Sequence, residues 1–114
     1  MAHYAFITDG IVTEVIVGID ETELIEGLDP ETWYSNFRGQ VCKRTSYNAR
    51  TNGFRFNYAA IGYNWDGTGF YAPQPFPSWT LDDKYQWQPP VARVMDGIHY
   101  VWSEDDLNWK ADGK

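Results

Sequence analysis

Tyr63-Asn64-Trp65-Asp66-Gly67-Thr68-Gly69-Phe70-Tyr71-Ala72-Pro73 sets a pattern that the chain writes twice more. Trp79-Thr80-Leu81 runs through Asp82-Asp83 to Lys84-Tyr85-Gln86-Trp87, and Tyr100-Val101-Trp102 runs through Ser103-Glu104-Asp105-Asp106 to Leu107-Asn108-Trp109. Each copy is an aromatic segment, an acidic turn and a second aromatic segment. Aromatic side chains suit a pleated backbone, and Asp, Gly and Ser suit tight turns, so the pattern predicts three short β-hairpins in series. Proline lacks the N–H that a ladder needs, so Pro73 and Pro89-Pro90 stop the second strand of the first two hairpins. Hairpins this small present surface more readily than they enclose a catalytic cleft.

Upstream, Asp9-Gly10 separates the strand-like runs His3–Thr8 and Ile11–Val17. A type I′ turn needs positive φ at both central residues, which favours Asp-Gly, and it sets Ile7 opposite Val12, Phe6 opposite Thr13 and Tyr4 opposite Val15. Apolar residues fall on both faces of this hairpin, which predicts a central place with other elements packed over it. Asp20 with Glu23 reads as a capping box, with Ile19 and Leu24 as a staple and Gly27 closing a short helix. A second start follows: Asp29 as cap, Pro30 at the first helical position, Leu28 and Trp33 as staple and Gly39 as terminator predict a helix over 30–38. Trp33, Tyr34 and Phe37 share one side of it and read as core.

Val41–Tyr47 returns to strand, the polar run Asn48–Gly53 reads as a loop or hairpin tip, and Phe54–Tyr58 alternates as a strand does. Phe54, Phe56 and Tyr58 would face one way, Arg55 and Asn57 the other. The aromatic phase has changed by Tyr63, so a bulge or bend is expected near Ala60–Gly62. Pro73, Pro75 and Pro77 predict an extended polyproline II spacer between an α+β core over 1–72 and a hairpin extension over 73–114. At 114 residues the chain has the length of one domain, so the alternative is that the two parts form one continuous domain. Asp96-Gly97 would open the last hairpin, and the tail from Asp112 to Lys114 is expected to fray.

The formal charge of −7 argues against nucleic-acid or anionic-membrane binding by the whole molecule. Its order along the chain is acidic, basic, acidic: no acid lies between Glu31 and Asp66, a window that holds Arg38, Lys43, Arg44, Arg50 and Arg55. Such alternation is either neutralised within one monomer or offers a basic face to the acidic face of a neighbour. The single cysteine, Cys42, excludes an internal disulfide and reads as a small buried hydrophobe. The start at Met1-Ala2-His3-Tyr4 has neither a basic n-region nor a long apolar run, and no stretch approaches the ~20 apolar residues of a membrane span. A soluble protein made in a reducing cytosol is the expectation.

His3 and His99 stand far apart without cysteine partners, short of the four donors of a zinc site. Asp82, Asp83, Glu104, Asp105 and Asp106 sit at hairpin tips, where solvation keeps a carboxylate from the raised pKa an acid/base pair needs. They also lack the alternating ligands and distal Glu of an EF-hand loop. Gly67-Thr68-Gly69 is too short to cradle a phosphate, and no nucleophile elbow or dinucleotide fingerprint occurs. No catalytic residue, cofactor or metal site is therefore assigned.

Two binding readings remain. Phe54, Phe56 and Tyr58 beside Arg44 and Arg55 have the composition of a single-strand nucleic-acid platform, although an aromatic core face with a solvated basic face explains the same alternation better. Trp65, Trp79, Trp87, Trp102 and Trp109 could stack on a glycan, or could be the only core that such hairpins have. Because Trp and Tyr favour interfaces, the residues nominated for partner binding are Trp65, Tyr71, Phe76, Trp79, Trp87, Trp102, Trp109, Arg44 and Arg55.

Several stretches resemble small proteins of tailed bacteriophages, especially those infecting marine cyanobacteria. They are Tyr4-Ala5-Phe6-Ile7 with Ile11 to Gly18, Arg38-Gly39-Gln40-Val41-Cys42-Lys43-Arg44-Thr45-Ser46-Tyr47-Asn48, Phe54-Arg55 with Asn57-Tyr58-Ala59 and Ile61-Gly62-Tyr63, Pro75-Phe76-Pro77-Ser78-Trp79-Thr80-Leu81-Asp82, and Tyr100-Val101-Trp102. The resemblance spans nearly the whole chain and implies a virion- or tail-fibre-associated accessory protein with no catalytic residues to carry over. The aromatic, acidic-turn, Trp ending is also similar to the ends of tail-fibre assembly proteins, which implies a chaperone. The resulting expectation is an α+β, β-rich fold: a small antiparallel sheet with one or two short helices, followed by Pro-spaced aromatic hairpins. The expected function is a capsid or tail decoration or attachment protein, made in the bacterial cytoplasm and carried in the virion. Its partners would be other virion proteins and copies of itself, with no nucleic acid and no membrane. The alternatives are a tail-fibre assembly chaperone and a carbohydrate-binding module for host adhesion.

Overall fold

A computed structural model describes residues 2–112 of the chain, so Gly113 and Lys114 of the tail expected to fray lie outside the described residues. Asp112 is described, and its N–H donates to the His99 carbonyl at 2.8 Å. The chain divides into two compact units, Met1–Pro73 and Gln74–Lys114.

The first unit is built on β1 (Ala2–Thr8) and β2 (Ile11–Gly18), joined through Asp9 and Gly10 at φ 52° and 77°. Those two left-handed residues are what a type I′ turn demands, and Gly10 supplies one at no steric cost. The sheet adds β3 (Val41–Thr45) on the outer side of β1, and β4 (Asn64–Trp65) and β5 (Phe70–Tyr71) beyond β2, in the order β3-β1-β2-β4-β5 with every pair antiparallel. With two short helices, this makes a small α+β, β-rich fold.

The register agrees with the turn only as far as Ile7 opposite Val12. A bulge then shifts the pairing, so Phe6 meets Glu14, Ala5 meets Val15 and Tyr4 meets Ile16. The bulge has a physical reason. Uninterrupted counting would set Glu14 beside Ala5, on the face that buries Ala5, Ile7, Val12, Ala59 and Phe70. The extra residue, Thr13, hands that place to Val15 and turns Glu14 to the other face, where its carboxylate accepts from Arg38 at 2.8 Å. The Thr13 hydroxyl donates to the Phe6 carbonyl and accepts from Gln40. Both faces of the hairpin are covered. The second buried set is Ala2, Tyr4, Phe6 and Cys42, with Ile16 and Tyr34 packed against it. Fully burying a side chain such as Phe6 contributes roughly 1.5–3 kcal/mol.

Helix α1 (Pro30–Arg38) forms as its caps dictate: Asp29 accepts from the Thr32 N–H at 3.1 Å, and Gly39 closes it at φ 65°. Tyr34 packs its ring on Tyr4 (5.0 Å) and Phe6 (6.4 Å). Phe37 departs from the core expectation: it stacks flat on Trp33 at 5.1 Å yet stays 71% exposed. The helix expected from Asp20 to Gly27 does not form. The Asp20 carboxylate accepts from the Thr22 N–H and hydroxyl (2.9 and 2.6 Å), a tight turn that competes with a cap, and Ile25 bridges Leu28 around Glu26-Gly27.

The segment Phe54–Tyr58 is not a strand. A helical turn, α2 (Ala49–Asn52), precedes it, and Arg55 and Phe56 take positive φ of 48° and 71°. The expected faces invert: Asn57 is buried and donates to the Phe70 carbonyl at 2.9 Å, while Tyr58 is exposed. The Ala59 N–H donates to Thr45 Oγ1 at 2.9 Å, which ties this loop to β3. The bend expected near Ala60–Gly62 is present, with Gly62 at φ 92° and its N–H on the Val12 carbonyl.

Candidate docking surface

The second unit consists of two ribbons, β6 (Thr80–Leu81) with β7 (Trp87–Gln88) and β8 (Tyr100–Ser103) with β9 (Asn108–Ala111). The predicted hairpins therefore exist, though the first of the three belongs to the five-stranded sheet of the other unit. The acids of the turns close them. Asp82 accepts from the N–H groups of Lys84 and Gln86 and from Gln88 Nε2, each at 2.9 Å. Asp66 does the same for Thr68 and Gly69, and Asp96 accepts from the Ile98 N–H and the Tyr100 hydroxyl. Hydrogen bonds to the ionised form hold Asp82 and Asp96 below the usual carboxylate range, led by the Gln86 and Ile98 N–H groups respectively.

Four of the nominated aromatics come together. Phe76, Trp79, Trp102 and Trp109 form one cluster with ring centroids 5.3–6.5 Å apart, mostly tilted or edge to face, as aromatic quadrupoles prefer. Trp102 and Trp109 are cross-strand partners, and Trp102 is 8% exposed. The indoles thus make the core of this unit and not an outward platform. Glu104 ties the parts: its carboxylate accepts from the Ser78 N–H and hydroxyl (3.1 and 2.7 Å) and from Trp102 Nε1 (2.9 Å). Trp109 Nε1 donates to the Val91 carbonyl at 2.8 Å. Trp79 Nε1 is buried without a hydrogen-bond partner, a cost of about 1–3 kcal/mol that its neighbours avoid. Trp87 stands on β7 opposite Leu81.

The proline segment is not an open spacer. Its chain turns back, with the Trp79 N–H on the Phe76 carbonyl, and Gln74 Nε2 donates to the Pro77 and Trp79 carbonyls.

The other nominees lie in the first unit. Trp65 packs its ring on Phe70 at 4.6 Å, and Tyr71 is half-buried on β5. Arg55 donates to Glu31 (2.6 Å) and to the Arg44 carbonyl (2.8 Å). Its guanidinium lies 4.9 Å from the Phe54 ring and 5.3 Å from that of Trp65. Arg44 covers the Phe54 ring at 4.0 Å and pairs with Glu21 at 3.7 Å, while its N–H donates to Glu31. With Arg38 on Glu14, three cations of the basic window meet acids from earlier in the same unit. Cys42 is buried, and desolvation pushes its thiol up to about 12, which leaves it inert as a nucleophile.

What sequence reading missed is aliphatic. Val91, Val94, Met95 and Ile98 stand exposed along the loop between the ribbons, Met95 by 87%, and Val101 on β8 is exposed as well. A groove of about 300 Å³ follows the loop, lined by Arg93, Val94, Met95, Gly97, Ile98 and His99. The only trace in the sequence is compositional: Val91-Ala92-Arg93-Val94-Met95 is apolar but for Arg93, without periodicity, and framed by Pro90 and Asp96-Gly97. Among the described residues no helix is long and apolar enough to cross a membrane, and no three His, Cys, Asp or Glu side chains gather as metal ligands would. No protein-family model, curated protein or solved structure matches the chain.

Proposed function

We propose that this protein is an accessory component of a phage virion, a decoration or attachment protein that docks on the capsid or tail surface through its second unit. The observation that carries the reading is the exposed aliphatic loop Val91–Ile98 with Val101, in a unit whose indoles face inward. Exposed apolar side chains gathered along one groove, as Val94, Met95 and Ile98 are, mark protein contacts, and Arg93 and His99 in the same lining add polar character. The turn acids support a non-enzymatic reading, because Asp66, Asp82, Asp96 and Glu104 already close turns or join segments. The phage assignment itself rests on the resemblance of the motifs.

The test is copurification with particles of the phage that encodes the chain. Wild-type protein is expected in mature virions by mass spectrometry. The double variant Val94→Asp, Met95→Asp should lose at least about tenfold of that association, since buried apolar anchors dominate such contacts. Its near-ultraviolet circular dichroism should match wild type, because both side chains are exposed. Absence of the chain from mature particles would convert the assignment to an assembly chaperone.

A further inference from the structure

The first unit holds a groove of about 290 Å³ whose lining includes Tyr47, Asn48, Arg50, Thr51, Tyr58 and Tyr63. Tyr47 is 67% exposed and Tyr58 37%, yet their rings are not loose. They meet each other edge to face at 6.3 Å, and the His3 ring of β1 supports both, at 5.4 and 5.7 Å. A tyrosine held in place with its face open presents flat apolar area and a hydroxyl at low ordering cost.

Arg50 separates this groove from the rest of the basic window. Arg38, Arg44 and Arg55 each pair with a glutamate, whereas among the described residues no carboxylate lies within ion-pairing distance of Arg50. Asn48 and Thr51 add uncharged hydrogen-bonding groups beside it. The volume matches the lower end of small-ligand sites. The two tyrosines stand at 80°, so they cannot sandwich a planar base; a pyranose needs only one aromatic face under its C–H side, with donors around its rim. The first unit carries five positive and nine negative residues, which disfavours a long polyanion such as nucleic acid but not a single charge met by one guanidinium.

We propose that this groove binds an acidic sugar unit, with the ring on Tyr47, the more exposed of the two tyrosines, and the sugar carboxylate on Arg50. The site is independent of the docking loop, which lies in the other unit, and stands or falls without it.

Titrating the full-length protein with digalacturonate, cellobiose and UMP, followed by two-dimensional amide NMR, tests the proposal. Digalacturonate should bind with a Kd on the order of 1 mM, with shifts centred on Tyr47–Thr51 and Tyr58, and cellobiose about tenfold more weakly. Arg50→Gln should erase the difference between the two sugars with an unchanged melting temperature, because its side chain is exposed, and Tyr47→Ala should abolish binding of both while the amide signals of β1 and β2 keep their native dispersion. No shifts in the groove by about 20 mM digalacturonate would overturn the proposal. So would a charge preference that survives Arg50→Gln, or UMP binding there more tightly than the sugars.

Discussion

Among the described residues the first unit buries ten hydrophobic side chains and the second buries one, Trp102. The difference is not one of aromatic content, since Tyr4, Phe6 and Phe70 are fully buried in the first unit while Trp79 and Trp109 are only half-buried in the second. It is one of geometry. A central hairpin covered on both faces encloses side chains, whereas two ribbons of two to four residues per strand can only lean their rings together. A unit of about 40 residues is also at the size where a hydrophobic core alone is marginal. The second unit makes up the shortfall with edge-to-face indoles and carboxylates that close its turns, and it has no interior left to receive Val91, Val94, Met95 and Ile98. The surface proposed for docking follows from the thinness of the core beneath it.

If that contrast is right, Trp102→Ala should have the largest effect. Truncating a buried Trp costs about 3–5 kcal/mol, more than a unit with one buried hydrophobe is expected to hold. The near-ultraviolet circular dichroism of the indole cluster should vanish, while amide signals of β1 and β2, around Tyr4 and Val12, keep their native dispersion. Loss of both sets together would mean that the units fold as one, and retention of the indole bands would mean that Trp79 and Trp109 suffice.

A smaller effect probes the enclosed side of the contrast. A Cβ added at Gly18 would lie 2.7 Å from the Tyr34 hydroxyl and 2.8 Å from the Tyr4 ring. Those two tyrosines are fixed by Tyr4 donating to the Ile19 carbonyl (2.8 Å) and Tyr34 accepting from the Ile19 N–H (3.3 Å). Neither can retreat without breaking a hydrogen bond. Gly18→Ala should therefore destabilise the first unit by about 1–3 kcal/mol in urea unfolding, as overpacking does. A change below about 0.5 kcal/mol would show that α1 yields, and that this face is packed less firmly than its burial implies.

How much of this was legible in the sequence follows from how local each cause is. The three hairpins, the Asp9-Gly10 turn and the α1 caps were readable because their determinants lie within four or five residues of one another. The Thr13 bulge was not, since it answers to the company of Glu14 across the sheet and to Gln40, 27 residues away. The alternation of Phe54–Tyr58 looked like a strand but was overridden by Glu31 on Arg55 and by the Phe70 carbonyl on Asn57. Composition marked Trp79, Trp102 and Trp109 as important without telling inward from outward. The exposed loop Val91–Ile98 escaped because an aliphatic run without periodicity carries no structural signature, and the groove because Tyr47, Tyr58 and His3 converge only in the fold.

The smallest effect separates the units by acid. Glu104 is held below the usual carboxylate range by the Ser78 hydroxyl first and Trp102 Nε1 second, Asp106 by Lys110 first, and Asp82 and Asp96 by turn N–H groups. A carboxylate whose folded pKa is depressed contributes stability that is present above its unfolded value and lost as pH falls through the folded one. The loss should start near pH 4, about the unfolded pKa of Asp and Glu, and deepen below it. Glu14, Asp20 and Asp29 are depressed in the first unit as well, by Arg38, Thr22 and Thr32. There, two buried clusters stand behind them, so its amide signals should persist after the indole signals of the second unit have begun to shift. Glu104→Gln keeps one acceptor oxygen but removes the charge, so it should loosen the Trp cluster at neutral pH and flatten its acid transition. An acid response that begins in β1 and β2 would instead place the weaker packing in the first unit.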